Sequence, residues 1–179
     1  MKLDRSTYDK ITFGLNKYEE QNSSEYQRMA INAPEDAILH ILNIIKTTTP
    51  PYMVLYVLST PRINKEGRYE ISTPLNFDEL KTMLVEYKEF FENDSRHELW
   101  LGSLNGGELL VYDNHDVIYA YNFEKSLVEY LIDNSFIKEK IEIPYPHTHN
   151  YYPQLDIYEE KLIKEYKWKR FDLKDEDEN

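Results

Sequence analysis

RHELWLGSLNGGELLVYDNHDVIYAY, residues 96–121, is the stretch whose reading decides the fold. Three apolar runs are separated by two turn signals, Asn105-Gly106 and Asn114-His115. Tight turns between alternating apolar runs predict a three-stranded antiparallel meander. A two-residue turn at Asn105-Gly106 pairs Gly102 with Leu109, Trp100 with Val111 and Glu98 with Asp113. A two-residue turn at Asn114-His115 then pairs Asp113 with Asp116, Val111 with Ile118 and Leu109 with Ala120. One face holds Trp100, Leu109, Val111, Ile118 and Ala120, with Glu98, Asp113 and Asp116 at its end. The other holds Leu99, Leu101, Leu110, Tyr112, Val117 and Tyr119.

Both faces are apolar, so both call for cover by helices or by a partner. The Trp100 face reads as the purer core, and the tyrosine-bearing face as the one left partly exposed. Like charges directly across a ladder repel. Three devices would relieve Glu98, Asp113 and Asp116: Arg96 on the same face, with Arg68 or Arg62 in support; a hard divalent cation; or a basic group of a partner. A slip of one residue would reverse the whole assignment.

The rest of the chain follows from this centre. Residues 1–32 are weakly patterned, with Tyr18, Tyr26 and Met29 at a spacing that suggests a first helix. Pro34-Glu35-Asp36 opens a helix striped by Ala37, Ile38, Ile41, Leu42 and Ile45. Tyr52–Ser59 reads as a buried central strand, and Arg68–Thr73 as its return. Asn76 caps a helix that carries Phe77, Leu80, Leu84, Tyr87 and Phe91 toward Asn93-Asp94. Phe123–Asn134 is a further helix, Phe136–Ile143 a strand, Pro144–Pro153 an aromatic loop and Leu155–Tyr166 a last helix. Interleaved helices and hairpins predict an α+β fold. Its sheet would be mainly antiparallel, of about five to six strands around the meander, with about three to five helices packed on it. One globular domain would span 1–171, followed by a disordered acidic tail, 172–179.

Composition narrows function. The chain has 179 residues, 41% hydrophobic and 30% charged, in the range of globular proteins. It contains no cysteine, which excludes thiolate metal sites and suits a reducing cytoplasm. Met1–Ser6 lacks an apolar signal core, and the longest apolar run, Tyr52–Leu58, is far too short to span a membrane. The net charge is −12; five acids and one lysine put −4 of it in the tail, so the body carries −8. Such a field repels nucleic acid and anionic membranes and attracts basic proteins. Sixteen tyrosines add amphipathic surface of the kind favoured at interfaces.

Catalytic motifs are missing. There is no Gly-x-Ser-x-Gly, no phosphate-cradling glycine loop and no His-Glu-x-x-His. The basic residues near Trp168 are interleaved with Glu159, Glu160 and Glu165, which predicts a solvated helix face. The expectation is a non-catalytic cytoplasmic module without a cofactor. It would hold a basic protein partner, concretely as an immunity-type inhibitor of a basic toxin. Expected contacts are Glu98, Asp113 and Asp116 with Tyr112, Tyr119 and Tyr121, and a second patch of His147, His149, Tyr151 and Tyr152. The rival is a metal-dependent hydrolase built on His97, Asp113, His115 and Asp116, residue types that bind divalent metals.

Overall fold

The computed structural model describes residues 15–24, 26–143, 149 and 151–177. Among these residues nine strands form one mixed sheet: β1 Lys17–Asn22, β2 Gln27–Asn32, β3 Tyr52–Leu58, β4 Gly67–Ile71, β5 His97–Ser103, β6 Leu109–Tyr112, β7 Val117–Tyr121, β8 Ile137–Lys138 and β9 Trp168–Phe171. Their order is β8-β1-β2-β7-β6-β5-β3-β4-β9. Every pairing is antiparallel except β1 with β8. Five α-helices accompany them among the described residues: α1 Ala37–Ile45, α2 Phe77–Glu86, α3 Lys88–Asn93, α4 Lys125–Asp133 and α5 Asp156–Glu165. The fold is α+β as expected, but the sheet is larger than five to six strands and is mixed.

The additional strands come from segments without a strand pattern. Lys17–Asn22 and Gln27–Asn32 are rich in Glu, Gln and Asn, weak strand formers, yet they form a hairpin that docks β2 on β7. The helix suggested by Tyr18, Tyr26 and Met29 is therefore absent. Of Phe136–Ile143, only Ile137 and Lys138 pair, beside β1. The Trp168–Phe171 stretch leaves α5 and adds an edge strand to β4. A Cβ at Gly67 would lie 2.6 Å from the Phe171 carbonyl oxygen, so glycine permits the close approach of β9. Both edges are short, which limits unwanted pairing.

The helices form as their local chemistry dictates. Asn76 and Glu79 make a reciprocal capping box on α2. The apolar series Phe77–Phe91 continues through Tyr87, where the chain breaks into α2 and α3. All five helices send buried residues into one apolar cluster, including Ile41, Leu84, Phe90, Leu131 and Leu162. From the sheet this cluster takes Tyr18, Ile31, Val54, Tyr56, Leu99, Leu101, Leu110, Tyr112, Ile118 and Ala120. Ala30, Val57, Val111 and Val117 are buried but belong to the opposite face and lie outside the cluster. Among the described residues, helices thus cover one face of the sheet and none covers the other, the open face. No helix among the described residues is long and apolar enough to cross a membrane.

The meander explains which face is which. β5 and β6 pair as expected, Trp100 with Val111 and Gly102 with Leu109. β6 and β7 are displaced by one residue from the expected register: Val111 pairs with Tyr119 and Tyr112 with Ile118. The loop between them holds three residues, Asn114, His115 and Asp116, closed by the Asp113 N–H donating to the Val117 carbonyl at 3.0 Å. Asp116 takes the left-handed conformation, φ 64, that a three-residue hairpin loop requires before its second strand. One extra residue turns β7 over. Ile118 and Ala120 join Tyr112 in the core, while Tyr119 and Tyr121 join Trp100 outside. The Trp100 face, expected as the purer core, is the open one.

Candidate functional site

The open face is floored by β2, β7, β6, β5, β3 and β4. Alternation and register place Arg28, Tyr119, Tyr121, Leu109, Val111, Trp100, Glu98, Leu55, Met53 and Arg68 on it. Met53, Leu55, Trp100, Leu109, Tyr119 and Tyr121 are half-buried there. The rim is irregular chain. Near β1, the Ile141 N–H donates to Glu19 and the Leu15 carbonyl accepts from Asn32. At the opposite side, Asp177 meets Arg68.

Arginine–aromatic stacking organises the face. The Arg28 guanidinium lies 3.9 Å from the Tyr119 ring centroid and 4.5 Å from that of Tyr26. It also donates to the Tyr121 hydroxyl and to Gln21, both at 2.9 Å. Burial and the nearby Asp113 push the Tyr119 phenol up to about 12, so this ring stays neutral at any physiological pH. Arg68 sits over Trp100 in the same manner, 5.4 Å from its ring.

The three carboxylates are not an aligned cluster. Glu98 accepts from the Trp100 indole N–H at 3.0 Å, and burial, opposed by that bond and aided by Asp113, raises its carboxyl above the usual range. Asp113 serves its own loop, accepting from the His115 and Val117 N–H groups at 2.9 and 2.8 Å. Asp116 accepts from the Tyr112 hydroxyl at 2.7 Å. Arg96 does not neutralise any of them. It is fully buried on the helix side, bidentate to Asp94 at 2.6 and 2.7 Å and bonded to Glu159 at 2.6 Å and Asp156 at 2.9 Å. The chain bends at Arg96 before β5 begins, so strand alternation does not reach it. Arg62 likewise pairs with Asp156.

The sequence-derived contacts separate accordingly. Glu98, Tyr119 and Tyr121 share the open face. Tyr112 is 3% exposed and lies in the core, because the face it shares with Leu99 and Leu101 is the helix-covered one. His149 stands beside His115, ring centroids 5.0 Å apart, at the turn end of that face. The hydrogen bond that the His115 ring donates to the Asp113 carboxylate raises the imidazole above its ordinary value, against the opposing effect of burial. Tyr152 is tied by its backbone to Asp94 and Arg96, and Tyr151 is exposed beside it. His147 lies outside the described residues.

The metal set is not assembled. His97 is on the helix side, packed against Tyr56, Phe90 and Phe91, whereas Asp113 is on the open face. Among the described residues no group of three or more His, Asp or Glu side chains is placed to hold a metal ion. Sequence reasoning named Arg68 beside the carboxylates but missed Arg28 and Leu55 as part of the face; only the placement of β2 and β3 in the sheet reveals those two. Compared with known protein families, curated proteins and solved structures, the chain finds no match.

Proposed function

We propose that this chain is a non-catalytic protein-binding module that holds a basic protein on the open face of its sheet. An immunity-type inhibitor, which occludes a basic toxin, is the concrete form of that activity. The observation that carries the reading is the half-buried centre of the face, where Met53, Leu55, Trp100, Leu109, Tyr119 and Tyr121 lie side by side with no helix of the described residues over them. Aromatic residues, methionine and arginine are the types that anchor interfaces. Arg28 and Arg68 are already stacked on Tyr119 and Trp100, so the anchors are preorganised. The charge of −12 steers a cationic partner toward the protein and accelerates encounter. The cysteine-free sequence suits a reducing cytoplasm, where we place the module.

Immobilised chain, exposed to a lysate of its own organism, tests the reading. A basic protein should be retained at low salt and released as salt rises. The double variant Trp100→Ala/Tyr119→Ala should lose it while melting as a folded protein. Retention of no basic protein, or equal retention by the variant, overturns the proposal.

A further inference from the structure

The C-terminal segment stays on the fold after β9 ends. Phe171 closes the ladder opposite Arg68, and the chain runs into a single 3-10 turn at Asp175–Asp177. Two hydrogen bonds close the turn: the Asp177 N–H donates to the Lys174 carbonyl at 2.9 Å, and the Lys174 N–H donates to the Asp177 carboxylate at 2.7 Å. This geometry fixes the Asp177 side chain, 1% exposed, with Oδ1 2.5 Å from Nη1 of Arg68. The segment expected as a disordered tail from Asp172 is therefore docked as far as Asp177.

The contact has opposing parts. Arg68 is the guanidinium that roofs Trp100, so Asp177 holds that roof in place. The same carboxylate adds to the negative field at Glu98, whose carboxyl is already raised by burial and by Asp113. An acid placed among acids stays only while its cation holds it. With its side chain withdrawn from water, Asp177 meets a competing cation only as the segment lifts from Arg68.

We infer that residues 172–177 are a strap closed over the Trp100 end of the open face, latched by Asp177 on Arg68 and opened when a partner's cation takes the Asp177 carboxylate. What opens the strap rests on the binding reading above; the latch itself does not, and it is tested without any partner. In the full-length chain Asp177→Asn weakens the latch while leaving Arg68 in place. Against a Trp168→Phe background, in which Trp100 is the single tryptophan, acrylamide quenching of Trp100 should rise about twofold in Asp177→Asn. Trp168 packs against Tyr56, Tyr69 and Tyr166, so a second measurement leaves it in place. Amide hydrogen exchange over 172–177, with both tryptophans native, gives the second measurement. It should quicken about tenfold in Asp177→Asn and in Arg68→Gln. Unchanged quenching and exchange overturn the strap. Titration with a hexa-arginine peptide should quicken the same exchange in the native chain. Binding of the peptide without that effect overturns the opening step. Absence of any salt-sensitive peptide binding to the latch-released variants, with exchange quickened by the substitutions, instead marks failure of the basic-partner reading and leaves the strap standing.

Discussion

Arg96 and Glu159 meet at 2.6 Å with both side chains fully withdrawn from water. Glu159 also accepts from the backbone N–H groups of Arg62, Ile63 and Asn64. One carboxylate on α5 therefore pins the β3–β4 loop and the entry to β5 together. Burial alone would raise its pKa, but the bonds from Asn64, Arg96 and Arg62 outweigh it and hold the carboxyl below its usual value.

Removing one partner of such a pair strands the other charge. Glu159→Ala should cost about 3–5 kcal/mol of folding free energy, measured by urea denaturation. Glu86→Ala removes the surface partner of Lys161 and should cost under about 1 kcal/mol. Equal losses would mean that the Arg96 network carries no special weight.

His97 predicts an acid-sensitive fold. Its ring is buried among Tyr56, Phe90 and Phe91, and neither nitrogen has a hydrogen-bond partner among the described residues. Burial lowers its pKa to about 4, against an ordinary value near 6.5. Between those values the unfolded chain binds a proton that the folded chain refuses. Stability must therefore rise with pH through that window and fall as pH drops from about 6.5 toward 4. Glu159 adds a loss in the same direction, setting in below the ordinary carboxylate range, because its folded pKa is depressed. His97→Phe should flatten the upper window, removing on the order of 3 kcal/mol of pH dependence. Denaturant midpoints at pH 7 and pH 5 that shift as much in the variant as in the native chain would refute this.

Asp116 tests the loop. At φ 64 a β-branched residue is strained, whereas asparagine tolerates the conformation and can still accept from Tyr112. Asp116→Asn should be close to neutral and Asp116→Val should cost about 1–3 kcal/mol, read from thermal melts. Were Asp116 an ordinary strand residue, valine would be harmless.

The two sheet faces predict unequal responses to truncation. Leu101→Ala, on the helix-covered face, should cost about 2–5 kcal/mol. Leu109→Ala, on the open face, should cost under about 1 kcal/mol. Chemical denaturation of the pair decides which face is the core.

The sequence made the α+β class readable because its long periodic elements carry their own signals: the stripe of α1, the Asn76 cap of α2 and the apolar run of β3. The β5–β6 register was readable too. The loop there runs from Leu104 to Gly107, with Gly107 at φ 81, and not through two residues. Its length is still even, so the pairing parity survived. The Asn114–Asp116 loop is odd, and nothing in Asn-His-Asp distinguishes a two-residue from a three-residue turn. That single ambiguity misplaced Tyr119, Tyr121 and Asp116. β1, β2 and β9 were hidden for another reason. Segments such as Lys17–Asn22 become strands through neighbours far along the chain, which local propensity does not encode.

A loop one residue longer than its neighbour's parity allows has a consequence for how this protein can vary. Tyr119 and Tyr121 face outward only because Asp116 is there to absorb half a pleat. Loss of one residue from that loop would send both tyrosines inward and expose Ile118 and Ala120 in their place, exchanging an aromatic surface for an aliphatic one in a single event. Length changes at this hairpin can accumulate gradually only in pairs, so its residue count, more than its residue identities, is the inherited quantity that keeps the outer surface what it is.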